Sequence, residues 1–174
     1  MARVYVSIGS NINRDHHVRA GVHALQHDFG ILTLSSVYDS QAIGFDGAAF
    51  YNLVAGFSTA MTVQQVADTL RKIEDAHLRR RDGPRFSSRT LDIDLLLYDD
   101  LVINEPGLRV PRAEILHNAF VLAPLAEIVP LLKHPVSGDS YADLWAVFDQ
   151  DSQALTRLEY FDWCEGQATA PTQK

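Results

Sequence analysis

A single cysteine, Cys164, stands among the 174 residues, so no internal disulfide framework can hold this chain together. It lies close to the C-terminus with no sign of a nucleophile's surroundings, and such sparing use of cysteine agrees with a reducing compartment. No apolar run approaches the roughly 20 residues that a membrane-crossing helix needs. The chain has no internal repeat and no linker-like stretch, so one domain is expected over residues 1–166, with a disordered tail over 167–174. Basic charge is also scarce: 15 Lys and Arg stand against 22 Asp and Glu, for a net charge of -7 and a pI near 5.4. That balance argues against a nucleic-acid partner. Met1-Ala2-Arg3-Val4-Tyr5-Val6 enters a strand pattern at once and leaves no room for a signal peptide, so a cytoplasmic protein without a membrane partner is expected. What is present is ordinary for a globular core, with 47% hydrophobic and 21% charged residues.

Periodicity supplies the elements. Val4, Val6 and Ile8 alternate with Tyr5 and Ser7, a strand that stops at Gly9-Ser10-Asn11. Val18, Val22, Leu25 and Phe29 recur at helical spacing, with Asn13 or Asp15 as the cap and Gly30 as the stop. Ile31 to Tyr38 reads as a second strand, followed by a loop from Asp39 to Ala49. In a third strand, Tyr51 to Thr59, Leu53, Ala55 and Phe57 share one face. Thr62-Val63-Gln64-Gln65 is a capping box, opening a helix whose apolar stripe is Val66, Leu70 and Ile73. A strand ending at Tyr98 completes the order β-α-β-β-α-β, which predicts an α+β, ferredoxin-like split βαβ sandwich with an antiparallel sheet and both helices on one face. Beyond it, Leu108 to Pro111 reads as a short extended piece, Phe120 to Ile128 as a helix closed by Pro130, and Asp143 to Phe148 as a final small helix.

The chemistry concentrates in Ser88-Arg89-Thr90-Leu91-Asp92-Ile93-Asp94-Leu95-Leu96-Leu97-Tyr98. Its leucines and isoleucine read as a buried strand, yet two carboxylates sit inside it. Alternation puts Asp92 and Asp94 on the same face, where two like charges need cations, protonation or a hydrogen-bond network. Magnesium suits the pair, because it takes one or two carboxylates and fills its other positions with water and phosphate oxygens. Two aspartates at a strand edge, facing solvent or arginine, are the plainer alternative. Arg71, Lys72, Arg79, Arg80, Arg81, Arg85 and Arg89 lead into this strand against only Glu74, Asp75 and Asp82. A basic island before an Asp-x-Asp strand is what a magnesium–polyphosphate substrate requires, and the alternative is a solvated arginine-rich loop.

The ordered set of motifs resembles a known family. It comprises Gly9-Ser10-Asn11, Phe50-Tyr51-Asn52, Ile73-Glu74, the arginine run, Arg89-Thr90-Leu91-Asp92-Ile93-Asp94, Val110-Pro111, and Phe120-Val121-Leu122-Ala123-Pro124-Leu125. The resemblance is to the 6-hydroxymethyl-7,8-dihydropterin pyrophosphokinases of folate biosynthesis, and it runs from Tyr5 to about Pro130. It implies a monomer that transfers pyrophosphate from ATP to the hydroxymethyl group of a pterin and releases AMP. Two magnesium ions are then held by Asp92 and Asp94, and Arg79 and Arg89 join these aspartates as the catalytic set. The resemblance further assigns Arg71, Glu74, Arg81 and Arg109 to ATP, and Arg112, at a position that departs from the pattern, is placed with them. The pterin falls to Ser40, Gln41, Ile43, Asn52 and Phe120. An amide such as Asn52 both donates and accepts, which matches a pterin edge, and Phe120 can stack on the ring. The plain readings are a turn residue for Asn52, a core residue for Phe120 and an exposed helix-end residue for Glu74.

Four departures from the family pattern stand out. Arg112 stands where histidine follows Val110-Pro111, Asn118 replaces an ATP-holding arginine, Phe86-Ser87-Ser88 replaces Trp-Gly-Pro, and Leu78 replaces a glycine. Arg112 is expected to serve the phosphates in place of both missing groups. Divergence of this kind keeps open a paralogue that acts on another pterin or binds pterin without efficient catalysis. A nucleotidyltransferase of the polymerase-β type is a further alternative, on Gly9-Ser10 and a later Asp-x-Asp, but too much chain separates the two elements here. A non-catalytic ferredoxin-like module is another.

Overall fold

The computed structural model describes residues 1–43, 46–77 and 90–164. The chain begins with β1 (Ala2–Ser10) and α1 (Arg14–Phe29), then two short strands, β2 (Thr33–Leu34) and β3 (Tyr38–Ser40), and the long β4 (Phe50–Thr59). α2 (Val63–Ala76) and β5 (Asp92–Tyr98) follow, then the hairpin β6 (Ile103–Glu105) and β7 (Leu108–Val110). A 3-10 turn over Ala113–Leu116 leads to α3 (Ala119–Ile128) and α4 (Tyr141–Val147). Another 3-10 turn at Gln150–Ser152 precedes β8 (Leu155–Arg157). The main sheet is antiparallel with strand order β5-β1-β4-β3-β8, and β2 pairs with the same edge of β4 as β3. With β2 and β3 taken as one interrupted strand, this is the split βαβ arrangement with an extra edge strand.

Strand alternation builds two cores. Val4, Val6 and Ile8 of β1, Leu53, Ala55 and Phe57 of β4, and Ile93 and Leu95 of β5 face α1 and α2, meeting Val18, Val22, Leu25, Val66, Leu70 and Ile73. The other face carries Tyr5, Val54, Leu96 and Leu97, covered by Val121, Leu122 and Leu125 of α3 and by Tyr141 of α4. α1 and α2 thus share one face as the sequence predicts, and α3 and α4 add a layer on the other. Each fully buried branched or aromatic side chain contributes about 1.5–3 kcal/mol. The capping box of α2 is formed in full: the Thr62 hydroxyl accepts from the Gln65 amide, and the Gln65 side chain accepts from the Thr62 amide at 2.8 Å.

Three local readings need correction. The second strand is broken, because Ser35 inserts its hydroxyl into the ladder: the Val54 amide donates to Ser35 Oγ at 2.9 Å, and the Ser35 amide donates to the Val54 carbonyl at 2.9 Å. Asn13 stands at the N-cap of α1, but in the left-handed region (φ 42°) and with no side-chain capping bond. β8 has no counterpart in the sequence reading, since three residues are too few to carry a period. Among the described residues, no helix is long and apolar enough to cross a membrane.

Three histidines sit where burial, more than any neighbour, lowers their affinity for a proton. His17 and His77 also feel His16, and for His134 the opposing pull of Asp139 is the smaller effect. His134 is 3% exposed, and its Nδ1 accepts from the amides of Val136 and Ser137 at 3.2 Å each, which requires a neutral ring. A folded-state pKa lowered from 6.5 means that the unfolded chain protonates first. Stability is therefore full above about pH 6.5 and falls as pH drops below it. Urea midpoints measured from about pH 7.5 to about pH 5.5 should decline, and a flat profile would contradict neutral burial.

Candidate active site

One row of residues across three strands organises the site. Asp92 on β5 is the partner of Gly9 on β1, and Gly9 on its other side is the partner of Asn52 on β4. One step along, Asp94 stands opposite Ser7, and Ser7 opposite Val54. Directly opposed residues point to the same side of a sheet, so both aspartates and Asn52 share the face that carries Val54. Strand spacing puts the backbones of β5 and β4 roughly 10 Å apart. Between them lies a residue with no side chain. A Cβ at Gly9 would stand 2.9 Å from Asn52 Oδ1, so any other residue here would press on the amide and fill the gap between it and Asp92.

The two residues after Gly9 tie down the loops on either flank. Ser10 is fully buried, and its hydroxyl donates to the carbonyl of Thr90, at the entrance to β5, with the Ile12 carbonyl also within reach at 3.2 Å. Asn11 donates from Nδ2 to the Ala48 carbonyl at 3.1 Å. Arg14 reinforces the second tie through the Ala49 carbonyl and Asp39, both at 3.1 Å, with its guanidinium 3.7 Å above the Tyr51 ring. Gly9-Ser10-Asn11 therefore sets the gap and both of its margins.

Glu74 is buried rather than exposed at its helix end. It is 3% exposed, and its Oε1 accepts the Ile93 amide at 2.8 Å. The carboxylate thus anchors the β5 backbone between the two aspartates. Glu74→Ala leaves that buried amide without this acceptor, at a cost of about 1–3 kcal/mol, whereas Glu74→Gln keeps an acceptor and most of the stability. Chemical denaturation of the two variants checks this; equal losses would mean that the amide bond is not the main contribution.

Arg112, expected at the phosphates, is held here by two carboxylates. Its Nη2 is 3.0 Å from Asp94 Oδ1 and 3.4 Å from Glu114 Oε1, and its backbone amide donates to the Leu96 carbonyl at 3.0 Å. Asn118 is the N-cap of α3 and makes no side-chain capping bond. Arg71 reaches Asp68 at 2.7 Å and the carbonyl of Gly107, in the turn between β6 and β7, at 3.2 Å. Arg109 is exposed on β7 opposite Asn104. Arg79, Arg81 and Arg89, the departures at Leu78 and Phe86, and the tail 167–174 lie outside the described residues.

The residues assigned to the heterocycle gather well. Ser40, Gln41, Ile43 and Phe120 line one cavity of about 250 Å³, and Asn52, buried, donates from Nδ2 to Ser40 Oγ at 2.7 Å. Residues 152–155 and Ala119 complete the wall. Sequence reasoning missed 152–155, and no local signal there points to a site.

Residues 5–130 match the family described as 7,8-dihydro-6-hydroxymethylpterin-pyrophosphokinase (HPPK). The chain belongs to this family. A protein of Aquifex aeolicus named 2-amino-4-hydroxy-6-hydroxymethyldihydropteridine pyrophosphokinase is 33% identical over 138 residues, covering 78% of this chain and 86% of the relative. A Pseudomonas aeruginosa protein of the same name is 35% identical over 137 residues, covering 76% and 84%. Among solved structures, the wild-type HPPK-DHPS of Plasmodium falciparum superposes with a TM-score of 0.65 at 13% identity, over 83% of this chain and 44% of that longer one. That likeness shows the fold alone, and this chain spans less than half of that polypeptide. The HPPK match ends before the residues of α4 and β8.

Proposed function

We propose that this chain transfers pyrophosphate from ATP to 6-hydroxymethyl-7,8-dihydropterin, giving the pterin diphosphate and AMP, and that it works as a cytoplasmic monomer. The observation that carries the reading is the row Asp92–Gly9–Asn52, which sets the acidic pair on the same sheet face as Asn52, whose amide donates to Ser40 on the cavity wall. Family membership and the names of the Aquifex and Pseudomonas relatives support the same reaction.

Asn52, steadied by Ser40, presents an amide to the donor and acceptor edge of the pterin, and Phe120 and Ile43 enclose the flat ring. The donors fit magnesium: two hard carboxylates share one face, and among the described residues no group of three His, Cys, Asp or Glu is arranged to hold a metal alone. Asp92 and Asp94 would hold two such ions, which when bound neutralise charge on the phosphate oxygens. Arg79, Arg81 and Arg89 are assigned to the phosphates, with Arg71, Arg109 and Arg112 on the nucleotide side. Glu74 serves this site by holding β5 in place. In the reaction the pterin hydroxyl oxygen attacks the β-phosphorus in line. The bond from that phosphorus to the α–β bridging oxygen breaks, AMP departs, and the hydroxyl proton passes to solvent. The chain's contribution is position and charge rather than a covalent intermediate.

The test is incubation with ATP, magnesium and the reduced pterin, reading AMP and pterin diphosphate by chromatography. Equal amounts of both products are expected, lost on chelation of the metal. Absence of AMP with saturating substrates would overturn the reading. Pterin binding without AMP would favour the alternative of a paralogue impaired in catalysis, for which the Arg112–Asp94 pair is the motivating contact.

A further inference from the structure

We propose that the C-terminal segment, residues 150–157, forms the far wall of the pterin pocket and limits what the pocket admits, with Gln153 as the positioning residue that holds Phe120 against it. The proposal rests on the pterin reading above and concerns residues beyond the family match, which ends at 130.

Two contacts of one side chain carry it. α3 begins at Ala119, immediately before Phe120, and Asn118 leaves the cap of this helix without a side-chain bond. The amide of Gln153 supplies it from a distant part of the chain. Its Oε1 accepts the Ala119 N–H at 2.9 Å, and its Nε2 donates to the His117 carbonyl at 2.8 Å. One carboxamide thereby clamps the backbone on both sides of Asn118 and fixes where Phe120 enters the cavity. A glutamine suits this task because it offers a donor and an acceptor together and adds no charge.

The wall itself is anchored to the sheet. Leu155 is the register partner of Ser40, Thr156 of Asp39 and Arg157 of Tyr38, so β8 extends the sheet beside the strand that supplies Ser40. Arg157 secures the far end, donating from Nε to Ser36 Oγ at 2.8 Å, with Nη2 3.5 Å from Glu127 of α3. The β8 strand is thus joined to both elements that bring residues to the pocket, β3 and α3. Between these anchors Ala154 lines the cavity while remaining exposed. Its small side chain leaves room that a larger one would occupy, so bulk at this position should be felt by the ligand rather than by the core.

Ala154→Trp and Gln153→Met test the two halves, with affinity for the reduced pterin read by fluorescence titration alongside affinity for an ATP analogue and the melting temperature. Ala154→Trp is expected to weaken pterin binding about tenfold or more, with ATP-analogue binding within about twofold and melting unchanged. Gln153→Met should weaken pterin binding by about three- to tenfold and leave nucleotide binding alone. A folded Ala154→Trp protein with parental pterin affinity would overturn the wall. Equal loss of pterin and nucleotide affinity in Gln153→Met would overturn the positioning role. If the parent chain itself neither binds the pterin nor forms AMP, the pterin reading has failed and the proposal falls with it.

Discussion

Asp92→Ala and Asp94→Ala are each expected to abolish pyrophosphate transfer while leaving the chain folded. Both carboxylates lie on one face of β5, across β1 from the strand that carries Asn52, and neither belongs to either apolar cluster. Each is only partly buried, so truncation opens no sealed cavity. Removing one charge also relieves repulsion between neighbours two residues apart. Asp94→Ala loses the ion pair with Arg112, but the two side chains are 27% and 33% exposed, and Glu114 remains 3.4 Å from the guanidinium. The expected structural cost is therefore about 1 kcal/mol or less. The catalytic cost is of another order: without either carboxylate, the cations that neutralise the polyphosphate are poorly held, and turnover should fall by roughly a thousandfold or more. Product formation and thermal melting, measured on the same samples, separate the two effects. An Asp94→Ala protein with activity near that of the parent would remove the residue from the metal assignment. A protein that unfolds would show the pair to be structural.

Arg112→Ala should weaken binding of an ATP analogue by about one to two orders of magnitude, the equivalent of a charge-assisted contact worth roughly 1.5–3 kcal/mol. Affinity for the pterin should hardly change, since that cavity is lined from β3, α3 and residues 152–155. The ion pair with Asp94 adds a second expectation. Where the guanidinium holds Asp94 Oδ1 at 3.0 Å, an entering cation must share or displace it. Substrate phosphate offers the arginine a new partner, so magnesium and nucleotide are expected to bind together rather than in sequence. In Arg112→Ala that competition is gone, and the metal alone should bind more tightly even as the nucleotide binds less well. Titration calorimetry with magnesium alone and with the analogue distinguishes these terms. Unaltered analogue binding would mean that Arg112 serves only as a counter-ion to Asp94.

Much of this was legible because burial imposes a period on the residues it selects. Val4, Val6 and Ile8 mark a strand with one face in the core, and Val66, Leu70 and Ile73 mark a helical stripe. The Thr62–Gln65 capping box forms entirely within one turn, so its sequence signature and its structure coincide. The same-face placement of Asp92 and Asp94 follows from alternation within a single strand and needs no knowledge of its neighbours. Local chemistry determines all of these, and the sequence therefore determines them alone.

What the tertiary structure decided lies between segments remote in the chain. Gly9 separates Asp92 from Asn52 only because β1 pairs with β5 on one side and β4 on the other, in one particular register. Glu74 looks like an exposed residue near a helix end until α2 is laid against β5, where its carboxylate meets the Ile93 amide. Arg112 meets Asp94 because its own amide is fixed to Leu96, near the far end of the same strand. β8 is too short for any period and exists through its pairing with β3, yet it brings Gln153 to the start of α3 and Ala154 to the cavity. Hydrophobic alternation tells each segment which side is inside; only packing the sheet and its two helical layers together decides which polar side chains meet.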